Sequence, residues 1–259
     1  LGYSVEWRVV DSSEYGFPQR RKRVFILAVR DAEWEDPQAI LSSDGILARA
    51  LPIEPLSNTE SFCIGKGELS AITDDFNSSP GDTPTPFGTC GVMIARDVWT
   101  GKSKPQYDGL SKKLGELPLQ APSEIPDSYI LEPESLTREK GWIYLKGAKR
   151  ELRKSPSGYE YNYSEGPVTF PDSLEKPSRT IVTGEGGKSP SRFKHVITFE
   201  PTRAQRESLG LDGIESESVR ETMNLDSNQW LRRLTPVELE RLNGFPDDHT
   251  AGVPDGRRS

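Results

Sequence analysis

The arrangement of the amino-terminal part of the chain is decided by residues 15–26, which read Tyr15-Gly16-Phe17-Pro18-Gln19-Arg20-Arg21-Lys22-Arg23-Val24-Phe25-Ile26. A turn containing glycine and proline leads into four consecutive cations, which lead into a continuous apolar run over residues 24–29. Such a run predicts a fully buried strand. Upstream, apolar and polar residues alternate over residues 5–9, which predicts a half-buried strand. Residues 4–30 are therefore predicted to form a β-loop-β unit whose second strand starts in an arginine-rich bend (residues 19–23).

The other sharply specified element lies near the carboxyl end, at residues 235–242. Thr235 is followed by Pro236 and then by Glu238, a pattern typical of a helix start with a reciprocal capping box. Gly244 predicts where this helix ends. A helix of about two turns is too short to persist alone, so we expect it to dock on the rest of the chain.

The region between these two ends is irregular. Short strands separated by glycine, proline and serine clusters are predicted at residues 91–99, 142–145, 179–183 and 193–199. Residues 74–88 are rich in proline and glycine, which indicates a linker. The acidic stretch 207–229 is expected to be weakly structured, with a short helix near residues 219–224.

The composition limits the possible classes of protein. Of 259 residues, 33% are hydrophobic and 28% charged, with 21 Pro and 23 Gly, which indicates one modest core with long irregular segments. No apolar run approaches the roughly 18 residues of a membrane span. Cys63 and Cys90 form no disulfide framework, and with His195 and His249 they lack the spacing of a zinc site. We therefore expect no metal, no membrane partner and a reducing, cytoplasmic location.

The distribution of charge is more informative than the net charge of −7, which by itself disfavours a nucleic-acid partner. Acidic residues concentrate at residues 207–226, whereas cations concentrate at residues 20–23, 138–154 and 176–194. Any one of these basic runs is equally well explained as a solvated surface. Their assignment to DNA therefore depends on the motifs around them.

Two segments resemble motifs of the DNA (cytosine-5) methyltransferase family. Residues 15–26 are similar to the family's eighth motif, a Pro-Gln-Arg turn between two late strands of the catalytic domain. Residues 232–247, which run from Arg232-Arg233-Leu234-Thr235-Pro236 to Gly244-Phe245-Pro246-Asp247, are similar to the ninth motif. Residues 176–187 resemble, more weakly, a third segment of the family. In its recognition region, a threonine followed by an aliphatic residue precedes a glycine-rich loop. The order and separation of these segments also match the family.

The resemblance implies an α/β fold with two parts. One is the end of a SAM-methyltransferase (Rossmann-like) sheet, and the other is a β-rich, loop-rich target-recognition domain. Residues 1–30 would form the terminal β-hairpin of the catalytic domain, 31–90 a connecting segment, and 91–231 the target-recognition domain. Residues 232–259 would form the ninth-motif helix and the return to the catalytic domain.

Several parts of the family pattern are missing. Cys63 follows Phe62 and Cys90 follows Thr89, so neither stands in the Pro-Cys pair that carries the family's nucleophile. The methyl-donor loop, the Glu-Asn-Val segment and the tenth motif are also missing, and Leu1 is interpreted as an internal position of a longer protein. The resemblance implies that S-adenosylmethionine is bound mainly by segments outside this chain. The remainder of the catalytic domain is then an expected partner, and the chain alone is expected to be inactive.

The resemblance also assigns candidate site residues. A cytosine must leave the duplex to be methylated, and a cation beside its O2 would hold the flipped base and stabilise developing charge. Arg23 matches the family arginine in that place, with Gln19 and Arg21 supporting the bend or contacting phosphate. The candidate DNA contacts are Arg179, Thr180, Lys188, Arg192, Lys194, Arg232 and Arg233. A second phosphate-contacting stripe is expected at Lys146, Lys149, Arg150, Arg153 and Lys154.

The implied function is methyl transfer from S-adenosylmethionine to C5 of a cytosine in a specific double-stranded DNA site, in a bacterial restriction–modification or related system. Three alternatives stay open. The chain could be the DNA-recognition subunit of a split methyltransferase, a non-enzymatic DNA-binding domain, or part of an RNA methyltransferase of the same family.

Overall fold

The computed structural model describes residues 2–64, 87–136, 139–182 and 184–258 of the chain. The chain divides into two compact units, at residues 1–111 and 112–259. Both units combine helices with antiparallel strands, so the protein is of the mixed α/β class. Within the described ranges, no helix is both long and apolar enough to cross a bilayer.

The first unit is built on a five-stranded antiparallel sheet. Its strands are β1 (Tyr3–Asp11), β2 (Lys22–Arg30), β3 (Glu60–Cys63), β4 (Cys90–Ile94) and β5 (Asp97–Gly101), in the spatial order β2-β1-β4-β5-β3. β1 and β2 pair along their whole length, from Tyr3 opposite Arg30 to Asp11 opposite Lys22. The β-loop-β unit predicted over residues 4–30 is therefore confirmed.

Short helices cover one face of this sheet. They are α1 (Pro37–Ala39), a π-helical turn that continues it (Ile40–Asp44), and α2 (Ile46–Ala50), and a 3-10 turn at Ser12–Tyr15 follows β1. The buried carboxylate of Glu6 accepts hydrogen bonds from the backbone N–H groups of Leu47 (2.9 Å) and Ala48 (2.8 Å), which begin α2. A carboxylate is favourable there because the first N–H groups of a helix have no partner within it.

The covered face of β1 is polar at its centre. Glu6 and Arg8 are buried, whereas Val5 and Trp7 on the opposite face are partly exposed. The guanidinium of Arg8 donates to the carbonyls of Leu41 and Leu51 in the helical segment. The alternation in the sequence thus gives the correct period, but the polar residues are the ones that face the interior of the unit.

The prediction that the apolar run 24–29 is a fully buried strand is wrong for this chain. β2 is an edge strand, and Val24, Phe25 and Ile26 are all exposed, Ile26 to 68%. Burial of consecutive residues requires cover on both faces of a strand. The described residues of the chain do not supply that cover.

The strand predicted at residues 91–99 is a hairpin of the first sheet. β4 and β5 are joined through Ala95 and Arg96, whose φ angles of 49° and 79° are typical of a tight hairpin turn. β4 also pairs with β1, so this hairpin belongs with the amino-terminal strands rather than with the later ones. The linker predicted at residues 74–88 lies almost entirely outside the described residues, and the functional assignment of each segment stays a prediction.

The second unit contains two separate two-stranded sheets and four α-helices within the described ranges. The strands are β6 (Lys149–Lys154) paired with β7 (Glu160–Glu165), and β8 (Val196–Phe199) paired with β9 (Trp230–Arg233). The helices are α3 (Trp142–Lys146), α4 (Arg203–Ser208), α5 (Ile214–Met223) and α6 (Pro236–Leu242). Short 3-10 turns lie at Leu114–Glu116, Pro122–Glu124, Asp127–Tyr129, Pro133–Ser135 and Asp255–Arg257.

The predicted carboxy-terminal helix is confirmed as α6. Thr235 caps it, and the reciprocal bond from the Thr235 N–H to the Glu238 carboxylate completes the capping box. Leu239 and Leu242 are buried in an apolar cluster with Ile181 and Ile197. The helix therefore docks on β8, as its short length requires.

Four predictions about the second unit need correction. Residues 142–145 form a helix, because a short apolar run satisfies either periodicity and Trp142 is buried in the main core. No strand is present over residues 179–182, and residue 183 lies outside the described ranges; the strand at 193–199 shortens to 196–199. The acidic stretch 207–229 contains the ten-residue helix α5, whose first turn carries Glu215 and Glu217, where negative charge favours a helix.

Candidate nucleic-acid interface

In the first unit, the arginine-rich bend joins the 3-10 turn to β2. Gly16 adopts a φ of 85°, which lets the chain reverse after the 3-10 turn. The backbone N–H of Ser12 then donates to the carbonyl of Arg21 (3.2 Å), and its hydroxyl donates to the carbonyl of Gln19 (2.6 Å). These two bonds hold the bend against the end of β1.

In the arginine-rich bend, the glutamine side chain is buried and most of the cationic side chains are exposed. Gln19 is buried, and its Nε2 has no hydrogen-bond partner among the described residues. Arg20, Lys22 and Arg23 are exposed and Arg21 is half-buried. The Arg23 guanidinium donates to the carbonyl of Lys22 (2.7 Å), and within the described ranges no carboxylate lies within ion-pair distance of it. Arg23 thus presents a charge that no neighbouring carboxylate compensates.

In the second unit, the predicted DNA-contacting cations around the glycine-rich loop (residues 184–190) are mostly turned inward. The buried Lys194 ammonium donates to the carbonyls of Gly187 (2.9 Å) and Ser189 (2.7 Å). Arg233, also buried, donates to the carbonyls of Gly187 (2.5 Å) and Ser128 (2.7 Å). Both side chains therefore hold the loop from beneath, and burial lowers the pKa of each.

Arg179 and Arg192 extend this inward network. Arg179 forms a two-bond ion pair with Asp172 (2.7 and 3.3 Å) and donates to the carbonyls of Phe193 (2.7 Å) and Lys194 (2.8 Å). Arg192 pairs with Glu165 of β7 at 2.9 Å. Each guanidinium is directed to protein oxygens, so each fixes the path of the chain on either side of the loop.

Arg232 lies deepest of the predicted DNA contacts. It is 2% exposed and forms a two-bond ion pair with Glu238, with both N–O distances at 2.7 Å. The same carboxylate accepts from the backbone N–H groups of Gln120 and Thr235 (2.9 Å each). Arg232 therefore joins β9 to α6, and this placement supports a structural role.

Of the seven predicted DNA contacts, Lys188 is exposed, Thr180 is half-buried, and the other five are bonded to protein carbonyls or carboxylates. The structure brings Arg179, Lys194 and Arg233 together around the loop that carries Lys188. Arg23 and Thr180 lie in different units, so the base pocket that they would share stays a prediction. Arg138, at the start of the second basic run, lies outside the described residues.

Sequence reasoning missed a buried chain of three polar side chains in this unit. The Nδ1 of His195 lies 2.6 Å from the Glu185 carboxylate, and its Nε2 lies 2.9 Å from the Ser178 hydroxyl. This order of groups is that of a hydrolytic triad, but all three residues are buried, and the Ser178 hydroxyl also bonds the Arg179 carbonyl (2.9 Å). These hydrogen bonds therefore hold residues 178–180 against the loop. No local sequence pattern predicts this arrangement of three side chains.

The buried Lys146 belongs to the same group of inward-facing cations as Arg179. Burial, reinforced by the nearby Arg179 cation, lowers the pKa of Lys146 to about 8. Its ammonium donates to the Lys194 carbonyl. Lys146 was expected to belong to a phosphate-contacting stripe, but its side chain lies in the interior. Within the described ranges, no group of three or more His, Cys, Asp or Glu side chains is arranged to hold a metal ion.

The chain is similar to known proteins along almost its whole length. Residues 1–257 match the model of the C-5 cytosine-specific DNA methylase family. The chain is 33% identical to the Type II methyltransferase M.Sau3AI of Staphylococcus aureus over 261 aligned positions, which cover 98% of the chain and 53% of that protein. It is 26% identical to the DNA N-6-adenine-methyltransferase of Escherichia phage P1, with 98% of the chain and 29% of that protein covered. No solved structure matches the chain significantly.

Proposed function

The chain belongs to the C-5 cytosine-specific DNA methylase family, and from this membership we propose that it supplies the target-recognition region and part of the base pocket of a DNA (cytosine-5) methyltransferase. The complete enzyme would transfer a methyl group from S-adenosylmethionine to C5 of a cytosine flipped out of a specific duplex site. The chain spans about half the length of its S. aureus relative. In this proposal, the nucleophile and the donor pocket come from the other half.

The observation that carries the proposal is the exposed Arg23 at the start of β2. Ring C5 of cytosine is a poor nucleophile, and it becomes reactive when a thiolate adds to C6. A fixed cation beside O2 stabilises the charge that this addition develops. A guanidinium suits the task because it stays charged and presents a rigid set of donors. Arg23 is the cation of the bend that matches the family motif, and no described carboxylate pairs with it.

The remaining members of the bend fit supporting roles in this proposal. Gln19 is buried with an amide nitrogen that has no described partner, so a group from the rest of the enzyme or from the DNA backbone could satisfy it. Arg21 is half-buried beside the bond that closes the bend onto Ser12. Both residues would keep Arg23 at a constant position while the base enters.

The exposed apolar strand β2 supports the assignment of residues 1–30 to a larger sheet. Strands of doubly covered sheets are apolar on both faces, which is the pattern of residues 24–29. Among the described strands, β2 is also at the edge of its sheet, so one row of its backbone N–H and C=O groups can pair with another strand. We therefore propose that the rest of the catalytic domain packs along β2.

The apolar cavity of the first unit does not fit the methyl donor. The first unit contains a cavity of about 480 Å³, which is lined entirely by apolar side chains and one glycine, among them Trp7, Ile26 and Phe87. S-adenosylmethionine carries a sulfonium, a carboxylate, an ammonium and a ribose, all of which need polar partners when buried. The proposal therefore assigns donor binding to segments outside this chain.

A methyl-transfer assay with radiolabelled donor and duplex DNA tests the proposal. The whole protein that carries this chain should methylate DNA, and this chain alone should not. In the whole protein, Arg23→Ala should lower kcat by roughly 100- to 1000-fold, as loss of one electrostatic stabiliser of a transition state does. Arg203→Ala, with a side chain 92% exposed on α4, is the charge-matched control and should leave kcat unchanged.

Analysis of the product nucleosides completes the assay. The proposal requires 5-methylcytosine, whereas N6-methyladenine would point to the chemistry named for the phage P1 relative. Turnover by the isolated chain would contradict the expected absence of a nucleophile. A whole protein that binds duplex DNA without methylating it would favour a non-enzymatic DNA-binding domain instead.

A further inference from the structure

The ribbon formed by β6 and β7 has two faces of different character. The strands pair from Lys149 opposite Glu165 to Lys154 opposite Glu160, and the turn is closed by the bond from the Ser155 N–H to the Tyr159 carbonyl (2.8 Å). Alternate side chains of a strand point to opposite faces. Lys149, Glu151 and Arg153 therefore share one face (the inner face), and Arg150, Leu152 and Lys154 share the other (the outer face).

The inner face is occupied with fixing the ribbon to the second unit. The Tyr144 hydroxyl of α3 donates to Glu151 (2.7 Å), and Arg192 pairs with Glu165 (2.9 Å). Within the face, Lys149 pairs with Glu165 (3.0 Å), and Arg153 pairs with Glu151 while it lies over the Tyr163 ring. Every charge on this face therefore has a partner, and the ribbon is held as a rigid projection.

The outer face is chemically open at its base. Arg150 lies opposite Ser164, and Leu152 lies opposite Asn162. All four residues are exposed, Leu152 to 66%. Within the described residues, no side-chain hydrogen bond or ion pair engages Arg150, Asn162 or Ser164. A guanidinium, an amide, a hydroxyl and a branched apolar group are thus displayed side by side on a rigid two-stranded ribbon.

We propose that this outer face enters the major groove of the DNA target and reads base edges there. The inference rests on the proposed function, which makes duplex DNA the partner. The major groove accepts a two-stranded ribbon, and each displayed group has a match in it. The Arg150 fork matches O6 and N7 of guanine, the Asn162 amide matches N6 and N7 of adenine, and Leu152 matches the methyl group of thymine.

Charge favours DNA as the occupant of this face. The ribbon carries four cations against three carboxylates, in a chain whose net charge is −7. The three carboxylates are all paired with cations of the ribbon or of its support. Arg150 is therefore left uncompensated, and exposed Lys154 stands near the turn, where the phosphate backbone would flank an inserted ribbon.

Mapping of methylated cytosines in genomic DNA tests the inference. The whole protein that carries this chain, expressed in a host without cytosine methylation, should methylate one sequence motif. Arg150→Lys keeps the charge and removes the fork, so it should relax the motif at one G·C position by roughly 5- to 150-fold in selectivity. Asn162→Ala should relax a different position. Arg203→Ala, with a side chain 92% exposed on α4, is the charge-matched control and should preserve the motif.

The outcomes separate the inference from the function on which it rests. A motif unchanged in Arg150→Lys and Arg150→Ala, with both variants folded by thermal melting, would overturn base reading by this face. A uniform loss of methylation at all sites in Arg150→Ala, with full recovery in Arg150→Lys, would assign Arg150 to phosphate and also overturn it. Absence of 5-methylcytosine with the unmodified protein would refute the proposed function itself, and this inference with it.

Discussion

The arginine-rich bend of the first unit and the glycine-rich loop of the second unit are both surrounded by cations in the sequence, yet the structure uses these cations in opposite ways. At the bend, Arg23 is exposed and bonds one backbone carbonyl. Around the loop, Lys194 and Arg233 are buried and bond the loop carbonyls. The difference teaches that the cations of a basic run near a glycine-rich loop can support the fold instead of forming a contact surface. The two cases differ because the cations around the loop have several carbonyl acceptors placed around them by the fold, whereas Arg23 has one.

The largest expected effect is the loss of unfolding free energy in Arg232→Ala, which tests whether buried cations support the fold. Removing the guanidinium leaves the Glu238 carboxylate buried without its counter-charge, which typically costs about 3–5 kcal/mol of unfolding free energy. Urea unfolding of the chain measures the change. The exposed Arg203→Ala should stay within about 0.5 kcal/mol of the unmodified chain, and so should Arg23→Ala. Equal stability of Arg232→Ala and Arg203→Ala would remove the distinction between scaffold and surface cations.

The second prediction concerns how stability depends on pH through Glu240 of α6. This buried carboxylate pairs with Arg258 (2.9 Å), so it is a further charge that supports the fold. Burial alone would raise the pKa of Glu240, but hydrogen bonds from Thr250 and Arg258 outweigh burial and bring the pKa to about 2. A carboxylate whose folded-state pKa lies below its unfolded value stabilises the fold above the unfolded pKa, and this contribution is lost as pH falls.

Thermal melts between pH 6 and pH 2, values chosen around the unfolded glutamate pKa of about 4.3, should therefore show a falling melting temperature below about pH 5. Glu240→Gln should lower stability at pH 6 by about 2–3 kcal/mol and flatten the dependence on pH. A variant with the same slope as the unmodified chain would show that Glu240 titrates normally.

The smallest expected effect concerns Lys188, the exposed cation on the glycine-rich loop. Lys188→Ala should leave stability unchanged and weaken duplex binding severalfold, evenly across DNA sequences. The slope of log binding constant against log salt should become shallower by about 1, as for loss of one phosphate contact. Fluorescence anisotropy at several salt concentrations measures this, with Arg203→Ala as the charge-matched control. A salt slope unchanged in Lys188→Ala would leave the loop without a phosphate contact at this position.

How far the sequence predicts the structure depends on the range of the interactions involved. Helix α6 was predictable in full because its capping box and terminal glycine act within a few residues. The β1–β2 unit was also predictable, because its strand pattern and its turn depend on neighbouring residues too. The run at 142–145 was predicted as a strand but is a helix, since four apolar residues fit both periods and the buried position of Trp142 decides.

In the candidate site, too, the features set by neighbouring residues were predictable and those set by tertiary packing were not. The sequence points to the bend at residues 19–23 and to the loop at residues 184–190. It does not show that Arg179, Lys194 and Arg233 point inward, because their acceptors lie 5 to 105 residues away and only the fold orients them toward these cations. The Ser178–His195–Glu185 chain was not predictable either, since its members are brought together only by the fold.

The sequence by itself determined the family, the two motif segments and the locally encoded elements, because these depend on neighbouring residues and on backbone preferences that need no partner. Only the tertiary structure decided which faces are buried and which cations remain exposed. A charged side chain is stable in the interior only when acceptors surround it, and only the folded backbone brings those acceptors into position. The outer face of the ribbon, with Arg150 and Asn162 left open, is therefore visible only in the folded protein.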